Sequence, residues 1–323
     1  MRDDSWWGGR RVLVTGAAGF LGRWIRERLD PAAIFIGTDV VQPYDQGYTY
    51  EFLDVLNFDS TQDAVMRHQP HIVIHLAGLS HINAAQGLPM VAFELNVGGT
   101  HNLMRALANL NLLYPPHVVV ASSNHVYGSH PWMSPRTEDA PLHQLDCYGA
   151  SKHCQDVMAR SLGLALNIPT VALRHVNAFG PYNPHESHIT NEAILAAIKG
   201  EPLRLRGDGT ARKGYLYAGD VADAYLLLAK HADDKAVIGR AFNASEGGES
   251  PSVLEWVLAI NEVAEEHGLK PQPPICLPAG QGEQPGYYER LDPSELKKRI
   301  GWWPRTAFTD GISRTIDWLR SLA

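Results

Sequence analysis

Apolar and polar positions alternate along this chain in two periods, and the first half switches between them repeatedly. Arg11 to Thr15 carries the apolar run Val12-Leu13-Val14 and reads as a buried strand. Phe20 to Leu29 carries charges at Arg23, Arg26, Glu27 and Arg28 and reads as a helix. Ala33 to Thr38 is a second strand ending at Asp39, and Tyr48 to Leu53 a short third one. Asp59 to His68 is helical, His71 to Leu76 a strand, Val91 to Leu110 a long helix, and His117 to Ala121 a strand. Tyr148 to Leu166 is a helix and Thr170 to Leu173 a strand. Such alternation predicts a parallel sheet with helices on both faces.

After Arg174 the pattern loosens. Gly180-Pro181-Tyr182-Asn183-Pro184 is a turn-rich loop. Thr190 to Lys199 is a helix, Leu203 to Leu205 a short strand, and Asp220 to Lys230 an apolar-faced helix with Asp220 placed to cap it. Pro271 to Gly286 reads as a loop over a site, and Pro293 to Ile300 and Thr309 to Leu322 as terminal helices. The Trp6-Trp7 and Trp302-Trp303 pairs read as packing residues. No internal repeat is visible. The expected architecture is α/β: a doubly wound parallel-sheet domain over 1–180, to which 212–245 returns, and a smaller α/β C-terminal lobe from 181–211 and 246–323.

The 323 residues, 45% of them hydrophobic, suffice for a large core and a smaller lobe. The net charge is −7 and no basic block stands out, which argues against nucleic acid as a partner. Three cysteines, Cys147, Cys154 and Cys276, fit a reduced cytoplasmic protein and no disulfide scaffold. The N-terminus runs straight into the first strand, which leaves no room for a signal peptide, and no apolar run approaches membrane-spanning length. His185 and His188 match metal-ligand spacing loosely, but no Cys or carboxylate set completes a site, so no metal is expected.

Two motifs carry chemistry. Gly16-Ala17-Ala18-Gly19-Phe20-Leu21-Gly22 lies between a strand and a helix. Its glycines permit a tight turn, close approach to a pyrophosphate and close helix packing, and the helix amides face the phosphates. Asp39 ends the next strand, where a carboxylate accepts both adenosine ribose hydroxyls and repels a 2′-phosphate, so NAD is expected over NADP. The second motif is Tyr148-Gly149-Ala150-Ser151-Lys152, with Ser122-Ser123 upstream. Tyr148 and Lys152 share one helix face. An ammonium beside a phenol lowers its pKa from ~10, and the phenolate can then take a proton from an alcohol while Ser123 hydrogen-bonds the same oxygen.

These motifs, with Asp54-Val55, His75-Leu76-Ala77-Gly78, Asn96-Val97-Gly98-Gly99-Thr100, Ser122 to Gly128, Leu173 to Pro181, Gly207-Asp208-Gly209, Tyr215 to Val221, Asp292-Pro293-Ser294 and Gly301-Trp302-Trp303-Pro304, resemble the extended short-chain dehydrogenase/reductase family. Within it the chain is similar to the NAD-dependent nucleotide-sugar epimerases and dehydratases, over nearly its whole length. The resemblance implies cofactor contacts from Gly16, Gly19, Phe20, Leu21, Gly22, Asp39, Asp54, Val55, Leu76, Ala77, Gly78, Asn96, Tyr148 and Lys152. It implies catalysis by Ser123, Tyr148 and Lys152, and substrate contacts from Asn124 and Asn177. A cation before the Tyr215 strand would grip a diphosphate, with Lys213 or Arg212 as candidates and Arg290 as a further phosphate partner. His125 is either an acid/base beside the sugar or a polar wall residue. His81 stands where side chains reach the substrate, or is an ordinary loop histidine. A homodimer is implied through the long helices.

The departures bear on the reaction. Relatives that act as 4,6-dehydratases carry an acid, often Asp-Glu, after the catalytic Ser or Thr; here Asn124-His125 stand there. The Glu of decarboxylating relatives is also missing, and the late Arg-Pro-Gly-Asp is replaced at Gln284-Pro285-Gly286-Tyr287. The expected activity is therefore C4 epimerisation of a nucleoside-diphosphate sugar through a transient 4-keto sugar. A 4,6-dehydratase and a net NAD(H)-dependent sugar or uronate dehydrogenase remain alternatives, since Ser-Ser-Asn-His also resembles the uronate dehydrogenases. A non-catalytic NAD-binding regulator is disfavoured by the intact Ser123, Tyr148 and Lys152.

Overall fold

A computed structural model describes residues 6–43, 47–80, 82–110, 114–128, 134–142, 146–278 and 288–322. The first strand, β1 (Arg11–Thr15), is central because Val12, Leu13 and Val14 are apolar toward both faces and all are fully buried. It is followed by α1 (Phe20–Arg28), β2 (Ile34–Asp39), β3 (Thr49–Phe52), α2 (Phe58–His68) and β4 (Ile72–His75). Short helices α3 (Ile82–Gly87) and α4 (Pro89–Phe93) lead through a π-helical turn, Glu94–Gly99, into α5 (Thr100–Ala108). Then come β5 (His117–Ala121), a 3-10 turn at Asn124–Tyr127, α6 (Cys147–Ala165) and β6 (Thr170–His175).

These strands and a later one, β10 (Ala241–Ala244), form a parallel seven-stranded sheet ordered β10-β6-β5-β4-β1-β2-β3. Strand order runs outward in both directions from the β1/β4 junction, the switch point where such sheets open a ligand crevice. Thr15 pairs with both Thr38 and His75, so the polar ends of β1, β2 and β4 share one edge. Alternation divides the core. Val12, Val14, Ile72 and Ile74 pack with Trp24 and Ile25 of α1, whereas Leu13, Val73, Val118 and Val120 pack with Leu103 and Leu107 of α5 and Ala159 of α6.

The remaining elements are β7 (Asn177–Phe179), α7 (Ile189–Lys199), β8 (Pro202–Arg204), β9 (Tyr215–Tyr217), α8 (Ala218–His231), α9 (Val253–Glu266), β11 (Gln272–Ile275), α10 (Ser294–Ile300) and α11 (Phe308–Ser321). β7 pairs with β9 and β8 with β11, both parallel. Trp256 of α9 stacks on Tyr215 at 4.0 Å and meets Phe179 and Phe308 edge-on.

Four expectations change. The single helix over 91–110 is broken by the π-helical turn, whose extra residue redirects Asn96 toward the loop after β4. Asp220 does not cap α8, because it lies inside the first turn; its carboxylate accepts the amides of Arg305 and Thr306 instead. The stretch from 271 contains β11, held by β8. Trp302 is buried and donates to the Asp220 carbonyl, but Trp303 is 41% exposed under the Lys297 ammonium. Helix α9 has a capping box at Ser252 and Glu255.

Candidate active site

One cleft of about 860 Å³ runs along the polar sheet edge to the segments around β8 and β9. At its first end the backbone does most of the shaping. Gly16 adopts φ +73°, and a Cβ there would lie 2.8 Å from the Ala77 nitrogen. A Cβ on Gly22 would lie 2.6 Å from the Ala17 backbone, so α1 can rest on the turn only without a side chain. Gly19 starts α1 with no side-chain cap, which leaves first-turn amides at the cleft. Asp39 accepts the Ala18 amide at 3.0 Å and the Val40 amide at 2.7 Å. The Val41 amide takes a third site at 3.2 Å, and since a carboxylate has about four lone-pair sites, acceptor capacity remains for a ribose hydroxyl. Phe20, Leu21, Asp54, Val55, Leu76, Ala77 and Gly78 line the same end.

Asn96 does not line the cleft. It is fully buried, accepts the Leu79 amide at 2.8 Å and donates to Ser151 Oγ at 2.8 Å, which ties the loop after β4 to α6. His81 lies outside the described residues, as does Gln284 to Tyr287.

At the middle of the cleft Asp146 caps α6 by accepting the Gly149 amide at 2.7 Å, and this fixes the first turn that carries Tyr148. The Ser123 hydroxyl lies beside the Tyr148 phenol in the cleft. Burial pushes the Tyr148 phenol up to about 12, with the nearby Ser123 hydroxyl acting against it. Burial also brings Lys152 down to about 8. The expected lowering of Tyr148 by Lys152 is therefore not the dominant effect. Lys152 Nζ instead donates to the Ala121 carbonyl at 3.0 Å and to Gln155 Oε1 at 2.9 Å.

Gln155 belongs to a chain of neutral groups beneath the site. Its Nε2 donates to Thr100 Oγ1 (2.8 Å), and that hydroxyl donates to the Asn96 carbonyl (2.6 Å). With its one proton spent there, Thr100 accepts from His75 Nε2 at 2.9 Å, so His75 Nδ1 accepts from the Thr15 hydroxyl at 2.7 Å. Burial, with the Lys152 charge adding to it, pushes His75 down to about 3, in keeping with this neutral tautomer.

A second network, charged, lies under Ser122. Its hydroxyl donates to Asp156 at 2.7 Å, and Arg174 Nε donates to the same carboxylate at 2.9 Å. Asp156 is held below its ordinary range by Arg174, Arg160 and Ser122 despite burial. Ser122 is therefore a structural partner, which leaves Ser123 as the hydroxyl facing Tyr148.

At the far end His125 packs edge-on against Tyr148, with ring centroids 5.4 Å apart. Its Nδ1 is 3.9 Å from Asp146 and its Nε2 3.6 Å from Glu289. Glu289 is only 8% exposed and accepts from Asn177 Nδ2 at 2.9 Å. Behind it burial, reinforced by Glu289, pushes the Glu246 carboxyl up to about 7. Asn124 lines the cleft, and its Nδ2 is buried without a partner among the described residues. Lys213, Arg204 and Arg206 also line it. Arg212 and Arg290 do not. Arg212 turns outward to Glu255 (3.2 Å) and the Ser250 carbonyl (2.8 Å), and Arg290 pairs with Glu249 at a separate small pocket. Adjacent residues of an extended segment face opposite ways, which is why only Lys213 of the Arg212-Lys213 pair reaches the cleft.

Residues 12–245 match the NAD dependent epimerase/dehydratase family. The chain belongs to that family. This epimerase/dehydratase family member is 27% identical to the dTDP-glucose 4,6-dehydratase of Neisseria meningitidis serogroup B, over 96% of its own length and 93% of the relative's. It is also 27% identical to the UDP-glucose 4-epimerase of Thermus thermophilus, solved with NAD, with a TM-score of 0.82 over 97% of this chain and all of that one. The UDP-glucuronic acid 4-epimerase of Bacillus cereus, 23% identical, shares the fold at a TM-score of 0.82 over 97% of this chain and 100% of that one.

The family enzyme is NAD-dependent, and the first end of the cleft fits that group: a turn with no room for Cβ atoms, an uncapped helix start, and Asp39 at the end of β2. No group of three metal-ligating side chains occurs among the described residues, and no described helix is long and apolar enough to cross a membrane. Sequence reasoning missed Gln155, Thr100, Glu289, Glu246, Arg204 and Arg206. Gln155 sits in a helix without motif character, Thr100 closes the Asn96 to Thr100 motif but carried no role there, and Glu289 and Glu246 meet only through tertiary folding.

Proposed function

We propose that this enzyme epimerises a nucleotide-linked sugar at C4 through a transient 4-keto sugar. The observation that carries this reading is the Ser123–Tyr148 hydroxyl pair at the middle of a cleft whose first end suits a dinucleotide. When bound, NAD supplies the acceptor for the C4 hydride and its return. Gly16, Gly19 and Gly22 with the α1 amides would hold its diphosphate, and Asp39 its adenosine ribose. Tyr148 takes the C4 hydroxyl proton while Ser123 hydrogen-bonds that oxygen. The resting phenol is the form that returns a proton to a ketone oxygen. The opposite step needs the phenolate, and the charge available to draw it out is Lys152, ammonium up to about pH 8. Lys213, Arg204 and Arg206 take the part in holding phosphate that sequence spacing divided among Lys213, Arg212 and Arg290. Asn124 and Asn177 face the sugar.

A 4,6-dehydratase is the second reading. It is favoured by the 27% identity to a dehydratase and by the His125–Glu289 pair, which brings a carboxylate near the position where those relatives carry an acid.

Proton NMR of the purified enzyme with UDP-, CDP-, GDP- and dTDP-sugars and no added NAD tests both. The expected product is a C4 epimer. A 4-keto-6-deoxy sugar would replace the first reading by the second, and stoichiometric formation of NADH when NAD is added would overturn both.

A further inference from the structure

The end of β6 delivers a titratable side chain to the cleft that the proton transfer does not use. His175 closes this strand opposite Ala244 of β10 and lines the cleft with Ala121, Ser123 and Lys152. Its ring is held from two sides. Tyr225 of α8 packs edge-on against it, with centroids 6.3 Å apart, and Nδ1 lies 2.8 Å from the Val176 carbonyl oxygen. A carbonyl only accepts, so Nδ1 carries the proton. Burial lowers the pKa of the ring and the Lys152 charge adds to this, while the Val176 bond acts against it. In the neutral ring with Nδ1 protonated, Nε2 is a lone-pair acceptor that cannot donate.

The position of this acceptor narrows its ligand. The cofactor's hydride-accepting ring has to come up to Tyr148 from the dinucleotide turn, and so passes Lys152. His175 stands on that stretch, close enough to Lys152 to feel its charge, whereas Asn177, two residues on, is tied to Glu289 at the far end. The polar substituent of a nicotinamide is a carboxamide, which offers two N–H donors and one acceptor oxygen. A lone pair held in one place accepts the amide NH2 and rejects the amide oxygen. We infer that His175 is a cofactor-binding residue whose Nε2 accepts a hydrogen bond from the nicotinamide carboxamide NH2. That bond fixes the rotation of the ring about its ribose bond, and with it the face presented to the substrate. A neutral imidazole suits this place, since an imidazolium would have no lone pair and would repel the positively charged oxidised ring. The inference rests on the NAD dependence of the family and not on which sugar reaction follows.

Loading of the full-length enzyme from an equimolar mixture of NAD and its acetylpyridine analogue tests this. The analogue carries a methyl group in place of the carboxamide NH2 and is otherwise the same dinucleotide. The ratio of the two retained by the protein, once it no longer changes, is read by mass spectrometry after denaturation, with circular dichroism as the folding check. The wild type should retain NAD over the analogue by about tenfold or more, because the methyl group leaves the Nε2 lone pair unmatched. His175→Phe keeps a ring against Tyr225 and removes the acceptor, so the preference should narrow to about threefold or less; His175→Leu serves if the phenyl ring prevents folding. Equal loading of the two cofactors by the wild type would overturn the inference. So would an unchanged preference in a folded variant, or a loss of both cofactors by the same factor, which would show that the imidazole only packs. No sugar is present, so the result stands apart from the C4 reading, which the NMR experiment tests.

Discussion

The two ends of the cleft are built by different means. The cofactor end is made of backbone: a turn packed too closely for Cβ atoms, the uncapped start of α1, and loops held by neutral hydrogen bonds from Asn96, Thr100, Gln155 and His75. All of it comes from segments before residue 160. The substrate end is made of side chains from 3-10 turn, helix and late-chain segments, several of them ionisable: His125, Asp146, Glu289 and, behind them, Glu246. Backbone geometry suits a ligand that never changes. Exchangeable side chains suit the part of a site that distinguishes one sugar from another.

The largest effect that separates the ends is expected from Tyr148→Phe. It removes the hydroxyl proposed to transfer the proton and none of the glycine-rich turn. Turnover should fall by about 10²- to 10⁴-fold while the purified protein keeps its bound NAD, read by absorbance after denaturation. Loss of NAD together with turnover would mean that the two ends are not separable.

Glu246→Gln sharpens the electrostatic side. The folded Glu246 carboxyl titrates near 7 against an ordinary 4.5, so between those values the folded state holds a proton that the unfolded state has lost. Stability contributed by this group is therefore intact below pH 4.5, falls as pH rises toward 7, and is flat above. The variant should gain roughly 3 kcal/mol over wild type in urea unfolding at pH 8 and close to nothing at pH 4.5. An equal effect at both pH values would show that packing, not charge, sets the difference.

The smallest effect is expected at the backbone-built end. Gly22→Ala would place a Cβ 2.6 Å from Ala17 and force α1 away from the turn. The cost is about 1–3 kcal/mol of stability, measured by thermal unfolding, with weakened retention of NAD and with Tyr148 untouched. Full NAD retention would show that the turn tolerates a wider spacing than its geometry indicates.

Most of the first half was legible in the sequence because its signals are local. Val12 to Val14 is apolar on both faces and becomes the central strand. The four-residue spacing of Tyr148 and Lys152 puts both on one face of α6. The π-helical turn was not legible, since one inserted residue barely disturbs an apolar period that continues on both sides. Arg212 and Lys213 were indistinguishable as adjacent cations until the fold turned one to Glu255 and the other to the cleft.

The sequence by itself determined the family, the alternating sheet, the glycine-rich turn and the Ser123, Tyr148 and Lys152 set proposed for catalysis, because each rests on residues close together in the chain. Only the tertiary structure decided the side chains around the far end of the cleft. Glu289 meets Asn177 and His125 across more than a hundred residues of chain, and Lys152 is oriented by Gln155 and the Ala121 carbonyl. Such contacts depend on the packing of whole elements, and no local period or spacing encodes them.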